Sequence, residues 1–376
     1  MDDRIDDRTE DRAATERILD GRAWDEFCES LKGARSALFR DTSPDDALDR
    51  AEGYRHLSRL LRLALERFVE HSDPERPRFY QMAREDAKLG ADNPDCRYQN
   101  CCLDGSLEYR IRGRRGSSTY LGIGSYYGSY GDPSPSGCSG YMDSADLAVD
   151  AEGRFEILLS QKPQPGNWIA MEPRTSSLIV REFFLDKSTE VPVELEIECL
   201  GVSAPPPPLD PAALDRAFQS ASVFVKGSVD LFTGWAESFA KRPTELHAPP
   251  DSVRGPAHKA TNQVFYHGYW KLAPDEALVI TAKPPVCRYW NFQLNNYWLE
   301  SLDYRYHPIT VNKHSVKLEA DGSFRIIVSA RDPGFGNWMD TAGHTNGTMG
   351  LRWNLAYDPP EPECRVVRFD DLVAGR

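Results

Sequence analysis

This chain lacks what a membrane or a phosphate backbone would need. Its apolar runs fall well short of the ~20 residues that span a bilayer, so no membrane insertion is expected. Lys and Arg number 45 against 58 Asp and Glu, a net charge of −13, and nucleic acid, which rewards clustered cations, is not an expected partner. The one basic cluster, Arg110-Ile111-Arg112-Gly113-Arg114-Arg115, reads as a solvated strand end and turn. The opening Met1-Asp2-Asp3-Arg4 has no apolar stretch of the secretory kind, so a cytoplasmic location is expected, with the eight cysteines as free thiols. Cys96, Cys101 and Cys102 do not have the paired spacing of a zinc site. Phosphate-loop, Gly-x-Ser-x-Gly and His-Glu-x-x-His signatures are absent. Gly122-Ile123-Gly124 and Gly128 suggest a nucleotide loop only superficially, because no helical pattern follows. The stretch from Gly113 to Gly140 reads instead as one long loop, a lid in form. His267, His307, His314 and His344 show no His-x-His pairing, and neither a metal nor an organic cofactor is expected.

What is present is a globular composition, with 16 Tyr, 16 Phe and 8 Trp in 376 residues, enough for two cores. A helix is expected over roughly residues 11 to 35, where Trp24, Phe27, Cys28 and Leu31 make one stripe. A second is expected to start at Ser43 as N-cap with Pro44 in its first turn, and its stripe carries Leu57, Leu60, Leu61, Leu65 and Phe68. From about residue 98 the period becomes two. Phe155, Ile157 and Leu159 follow Leu147-Ala148-Val149 across a turn at Gly153, and Phe324, Ile326 and Val328 follow Val316-Lys317-Leu318 across a turn at Gly322. Each hairpin precedes a Gly-Asn-Trp, at 166–168 and 336–338, and then an arginine, Arg181 or Arg352. The separations are 169, 170 and 171 residues, so the order recurs with almost no drift. Leu107–Ile111 aligns more loosely with Leu278–Thr281, and Tyr120–Ile123 with Tyr289–Phe292. This is the pattern of a duplicated β unit.

The expected fold is mainly β with helical additions (α+β): two tandem jelly-roll-like β-sandwich domains with N-terminal helices and a bridging helix. The expected divisions are a helical segment over 1–75, a first β domain over 76–203, a linker and helix over 204–243, and a second β domain over 244–376. The linker is Pro205–Pro208. Asp210 then caps a helix whose stripe includes Leu214, Phe218, Val225, Val229, Phe232, Trp235 and Phe239, expected to brace the two β units.

Asp92-Asn93-Pro94-Asp95-x-x-Tyr98, Gly166-Asn167-Trp168 and, above all, Gly336-Asn337-Trp338-Met339-Asp340-Thr341-Ala342-Gly343-His344 resemble the bacterial DUF1214 family, whose relatives often also carry a DUF1254 region. The resemblance extends over about residues 75 to 370. It implies tandem jelly-roll-type β domains and brings no reaction with it.

Two groups of residues offer chemistry. Asp340 and His344 have no counterpart in the first copy, where Ala170 and Arg174 stand, and a carboxylate that orients a histidine makes a general base. Arg352 would hold an anionic group, although its recurrence as Arg181 also suits a tie between loop and strand. The second group is the strand from Arg288 to Trp298, where Trp290, Phe292 and Leu294 alternate with Asn291, Gln293 and Asn295. Arg288, Gln293, Asn295, Tyr266 and Trp298 are candidate substrate contacts, with the amide face turned to solvent, an adjacent strand or a ligand. The reading that leads is a cofactor-independent enzyme (a hydrolase, lyase or isomerase) acting on a small ring-containing or lipid-like molecule. A non-catalytic small-molecule binder and a structural jelly-roll assembly stand beside it, and the second of these brings in a homo-oligomer.

Overall fold

The computed structural model describes residues 3–248, 263–356 and 358–375. Strands β1 (Cys96–Cys102), β2 (Tyr109–Arg114), β3 (Tyr120–Tyr127), β4 (Gly137–Asp143), β5 (Arg154–Ser160), β6 (Trp168–Ala170), β7 (Ser177–Phe183) and β8 (Glu194–Cys199) form two sheets, ordered β1-β7-β3-β4 and β6-β5-β2-β8. Their facing sides close on Ile111, Ile123, Ile157, Leu159, Leu178 and Val180, all buried. The second half contributes β9 (Leu246–His247), β10 (Gln263–Lys271), β11 (Glu276–Ala282), β12 (Tyr289–Leu294), β13 (Thr310–Asn312), β14 (Phe324–Ser329), β15 (Asn337–Asp340), β16 (Asn346–Asn354) and β17 (Glu363–Arg368). These form sheets β9-β10-β16-β12-β13 and β15-β14-β11-β17 around Trp290, Phe292, Phe324, Ile326 and Trp353. Replacing β1, β7, β3 and β4 by β10, β16, β12 and β13 turns one sheet order into the other, with β9 added at the edge, and the second pair of sheets corresponds in the same way. A short helix, Phe369–Ala374, ends the described chain.

The Gly-Asn-Trp tripeptides have a structural role that their spacing alone did not disclose. The segments before Gly153 and Gly322, expected as the first arms of hairpins, are not strands. Asn167 Nδ2 donates to the carbonyls of Ala148 and Glu156 (2.9 and 3.0 Å), and its oxygen accepts from Ala148 N. Asn337 does the same with the Lys317 and Arg325 carbonyls (both 2.9 Å) and with Lys317 N. One side chain thus satisfies backbone groups that a paired strand would have satisfied. It also starts the short parallel strand, β6 or β15, beside β5 or β14. The preceding glycines adopt φ of 79° and 68°, a region open to glycine at no steric cost.

The helices form their own layer. The expected helix over 11–35 is two, α1 (Asp3–Leu19) and α2 (Arg22–Ala34), because Gly21 at φ 84° breaks the backbone between them. Helix α3 (Ala47–Leu65) is capped by Asp46, whose carboxylate accepts from the amides of Leu48 and Asp49 (both 3.0 Å). Ser43, the expected cap, instead donates to the Ala37 carbonyl. A π-helical turn, Glu66–Glu70, continues α3. Helix α4 (Pro211–Ala240), capped by Asp210, lies against α1, α2 and α3 and against β10. Its Phe232 ring meets Tyr130 of the β3–β4 connection edge-on, with ring centres 5.4 Å apart. The stretch from Gly113 to Gly140 is therefore not one loop: β3 and the start of β4 occupy it, and only 128–136 connects them.

Helix α3 is seated on the second sandwich through Trp298, which is fully buried and donates its indole N–H to the Asp49 carbonyl (2.8 Å). A Cβ at Gly53 would lie 2.8 Å from that indole. Gly53→Ala gains about 1 kcal/mol of helix propensity and loses about 1–3 kcal/mol to overpacking. A net loss of stability is expected in urea unfolding, and a net gain would mean that α3 is not held against Trp298.

Candidate functional site

The sheets that contain β7 and β16 face a common cavity of about 170 Å³, close to the roughly 150 Å³ that holds a benzene ring in an engineered protein core. Arg181 reaches it from β7 and Arg352 from β16, and Tyr98, Phe183 and Phe265 give it flat apolar walls. The residues Leu89–Asn93 close one side, with Gly90 and Ala91 both left-handed at φ 62° and 57°. An alanine held there costs of order 1–3 kcal/mol, and the reason for it is visible: the Ala91 carbonyl accepts a hydrogen bond from Arg352 Nη2.

Arg352 is 5 % exposed, and no carboxylate pairs with it among the described residues. Its charge is met by amides. Nη1 donates to Gln293 Oε1 at 2.6 Å and Asn291 Oδ1 at 3.4 Å. Gln293 in turn donates to the Asp92 carbonyl and to Asn295 Oδ1, and Asn291 donates to Asn93 Oδ1. The amide face of β12 is thus fully buried, and it meets Arg352 and the Asp92–Asn93 segment rather than solvent. Arg181 donates to Tyr126 Oη at 2.9 Å and likewise has no carboxylate partner among the described residues. Burial pushes the Tyr98 phenol well above its ordinary range, so that hydroxyl stays neutral beside the two guanidinium groups. Asp92 is the one acid lining the cavity, and both its oxygens accept from Ser301, from its amide (2.9 Å) and its hydroxyl (2.8 Å).

His344 is elsewhere, under α3. Its Nδ1 is 3.0 Å from Asp49 Oδ1 and its Nε2 is 3.4 Å from Glu52 Oε2, with the ring almost fully buried. Burial disfavours the charged ring, but the hydrogen bonds it donates to the two carboxylates outweigh it and raise the imidazole to about 9. Burial pushes the Asp49 carboxyl up, while for Glu52 the bond to His344 overcomes burial and holds it down. Asn346 donates to the other oxygen of Asp49, and Asn296 donates to the Glu52 oxygen that faces His344. Asp49, Glu52 and His344 are also the one group among the described residues with metal-ligand proximity, within 4.8 Å of one another. Each carboxylate meets a different ring nitrogen, an arrangement that suits a protonated imidazole bonded at both.

The sequence-predicted residues are therefore dispersed. Asp340 does not orient His344: its Oδ2 is 2.7 Å from His307 Nδ1. Tyr266 is buried in the second sandwich and donates to the Pro359 carbonyl, Trp298 holds α3, and exposed Arg288 donates to the Thr119 carbonyl. Gln293 and Asn295 brace Arg352 from behind, and only Arg352 of the predicted set lines the cavity. Asp49, Glu52, Arg181 as a cavity residue and His56 were missed. His56 Nδ1 is 3.1 Å from Glu300 Oε1, and its Nε2 is buried without a hydrogen bond.

Comparison with known proteins places this geometry. The model of the family described as "Protein of unknown function (DUF1214)" matches residues 272–361. The crystal structure of an uncharacterised protein from Burkholderia cenocepacia is 44% identical, covers 95% of this chain and 99% of its own, and has a TM-score of 0.92. The chain belongs to the DUF1214 family. The VPA0106 protein from Vibrio parahaemolyticus is more distant, at 13% identity and a TM-score of 0.48, over 84% of this chain and 98% of its own. No curated protein matches. The stretch that matches the DUF1214 model holds Trp298, His344 and Arg352, whereas Asp49, Glu52 and Arg181 lie outside it.

For this DUF1214 protein the raised imidazole has a consequence for stability. A folded value of about 9, against about 6.5 unfolded, stabilises the native state fully below pH 6.5, and the contribution is lost as pH rises through 9. Urea unfolding is expected to show a fall of a few kcal/mol between pH 6 and pH 9.5. His344→Gln should lower stability at pH 6 and flatten that slope. An unchanged slope in the variant would assign the pH dependence to other groups.

Proposed function

We propose that this protein binds a small anionic molecule with a flat apolar body in the cavity between the two sandwiches. The observation that carries the reading is the convergence of Arg181 and Arg352, from corresponding strands, on one cavity, with no carboxylate among the described residues to neutralise either. A desolvated guanidinium without an acid is costly, and a planar carboxylate, which takes two of its N–H groups at once, is its natural complement. Aromatic walls beside the arginines favour a ring over a flexible chain. We further infer that the chain arose by internal duplication. The matching sheet orders, the twin Asn167 and Asn337 staples and the paired arginines support this, and the cavity is then the place where two copies of one unit meet.

Binding without chemistry is favoured over catalysis. The proposed base, His344, has both nitrogens occupied by carboxylates and lies outside the arginine cavity, and Asp340 is committed to His307. None of the residues around the arginine cavity offers a free base, since Asp92 is occupied by Ser301.

The test is a thermal-shift and calorimetry comparison of benzoate with neutral benzamide. Benzoate should raise the melting temperature and benzamide should not. Replacing one charge-assisted hydrogen-bond donor costs about 1.5–3 kcal/mol, so Arg181→Met should weaken benzoate roughly 10- to 100-fold. Arg352→Lys, which keeps the charge but not the fork, should weaken it less. Equal binding of benzoate and benzamide, or binding indifferent to both substitutions, would remove the site from this cavity.

A further inference from the structure

A third arginine extends the cavity beyond what a single anion requires. Arg67 lies in the π-helical turn that follows α3, a distortion that changes which side chains face inward. It lines the inner cavity together with Arg181 and Arg352, and it also lines a second, outer cavity of about 540 Å³. Arg67 therefore stands where the two spaces meet. Its neighbour Glu66 is no counter-ion for it, because Arg84 takes both oxygens of Glu66 at 2.6 and 2.9 Å. Arg67 makes no ion pair among the described residues, and its guanidinium rests 4.9 Å from the centre of the Phe68 ring. The outer cavity is walled by Phe68, Tyr80, Leu103 and Tyr127, and its other arginine, Arg174, is bound to Glu172 at 2.8 Å. In a protein with 13 more acids than bases, three arginines without an ion-pair partner among the described residues line the inner cavity, while Asp132, on the outer cavity, accepts from the Ser134 amide at 2.8 Å.

We propose that the ligand is a dianion with its charges at opposite ends of a ring-bearing body. One end sits between Arg181 and Arg352, and the other reaches Arg67 at the mouth of the outer cavity. This rests on the binding reading above and adds the number and placement of the charges. Three cations against one occupied acid are balanced by two negative charges better than by one. Separating those charges across the cavity keeps both desolvated groups paired without bringing like charges together. The outer cavity then serves as the way in, with Arg67 the first cation that an entering anion meets.

The experiment compares ligands of nearly equal size that differ in one charge: terephthalate against its monomethyl ester, and biphenyl-4,4′-dicarboxylate against its monomethyl ester. Titration calorimetry is carried out on the full chain and on Arg67→Met, a substitution at a half-buried position outside the sandwich cores. At least one dianion should bind the wild type ten-fold or more tightly than its monoester. Arg67→Met should erase that difference by weakening the dianion while leaving the monoester unchanged. If the wild type binds dianion and monoester equally, or if Arg67→Met weakens both alike, the two-ended ligand is overturned and the simpler anion site stands. If the wild type binds none of the four compounds, nor benzoate, both readings are overturned.

Discussion

The charge of Arg352 is the constraint from which most of the second half follows. A buried guanidinium on the face of a β-sheet turned away from its sandwich core must be neutralised or solvated, and here amides and a carbonyl do so without removing its charge. That requirement explains the alternation along β12. The side chains of Trp290, Phe292 and Leu294 fill the core, while Asn291, Gln293 and Asn295 form a buried ladder behind the arginine. It also explains the left-handed Ala91 and the Asp92-Asn93-Pro94-Asp95 segment that follows. Asn93 and Asp95 bond Tyr289, Asp95 also accepts from Asn312, and the approach to β1 is thereby tied to the second sandwich. Because the acceptors are neutral, the guanidinium keeps its field, and the cavity in front of it stays positive.

The helical layer depends on a second buried ionic group, and this one is closed on itself. His344 between Asp49 and Glu52 joins α3 to the turn before β16, and Trp298 seats the same helix through the Asp49 carbonyl. Breaking such a group by removing one member leaves an unpaired charge in the interior and costs more than the group contributes over an apolar replacement. The two charged sites thus differ in kind. The imidazole is saturated by acids and suits a fixed joint. The arginines are left unsaturated and suit a ligand. Arg67, on the turn that ends α3, links them physically, because the helix held by His344 is also the element that positions Arg67 at the cavity mouth.

Much of the architecture was legible because it is periodic. The two Gly-Asn-Trp tripeptides, the alternating strands after Gly153 and Gly322, and the aligned Tyr120 and Tyr289 segments all occupy corresponding places in the sheets. The candidate site was legible only at Arg352, since the rest of it depends on contacts far apart in the chain. Asp49 and His344 are 295 residues apart, and no local spacing joins them. A weaker signal was present in α3. Asp49, Gly53, His56, Leu60 and Leu63 fall on one stripe at helical spacing, and all are buried. An acid and a histidine in phase with buried leucines mark a polar contact inside the core. Arg181 was visible as a repeat but not as a site, because its role appears only when β7 and β16 face each other. Asp340 was misjudged for a simpler reason. It ends the short strand β15, and its side chain meets His307 from the connection that precedes β13.

The central claim, that the cavity between the sandwiches is an anion site built from uncompensated arginines, has one direct test that needs no knowledge of the natural ligand. Crystals of the full chain soaked in sodium bromide and measured at the bromine edge would locate bound anions by anomalous scattering. An anomalous peak within hydrogen-bonding reach of Arg181 and Arg352 is the predicted result. Bromide sites confined to the outer surface, with none in the cavity, would contradict the account.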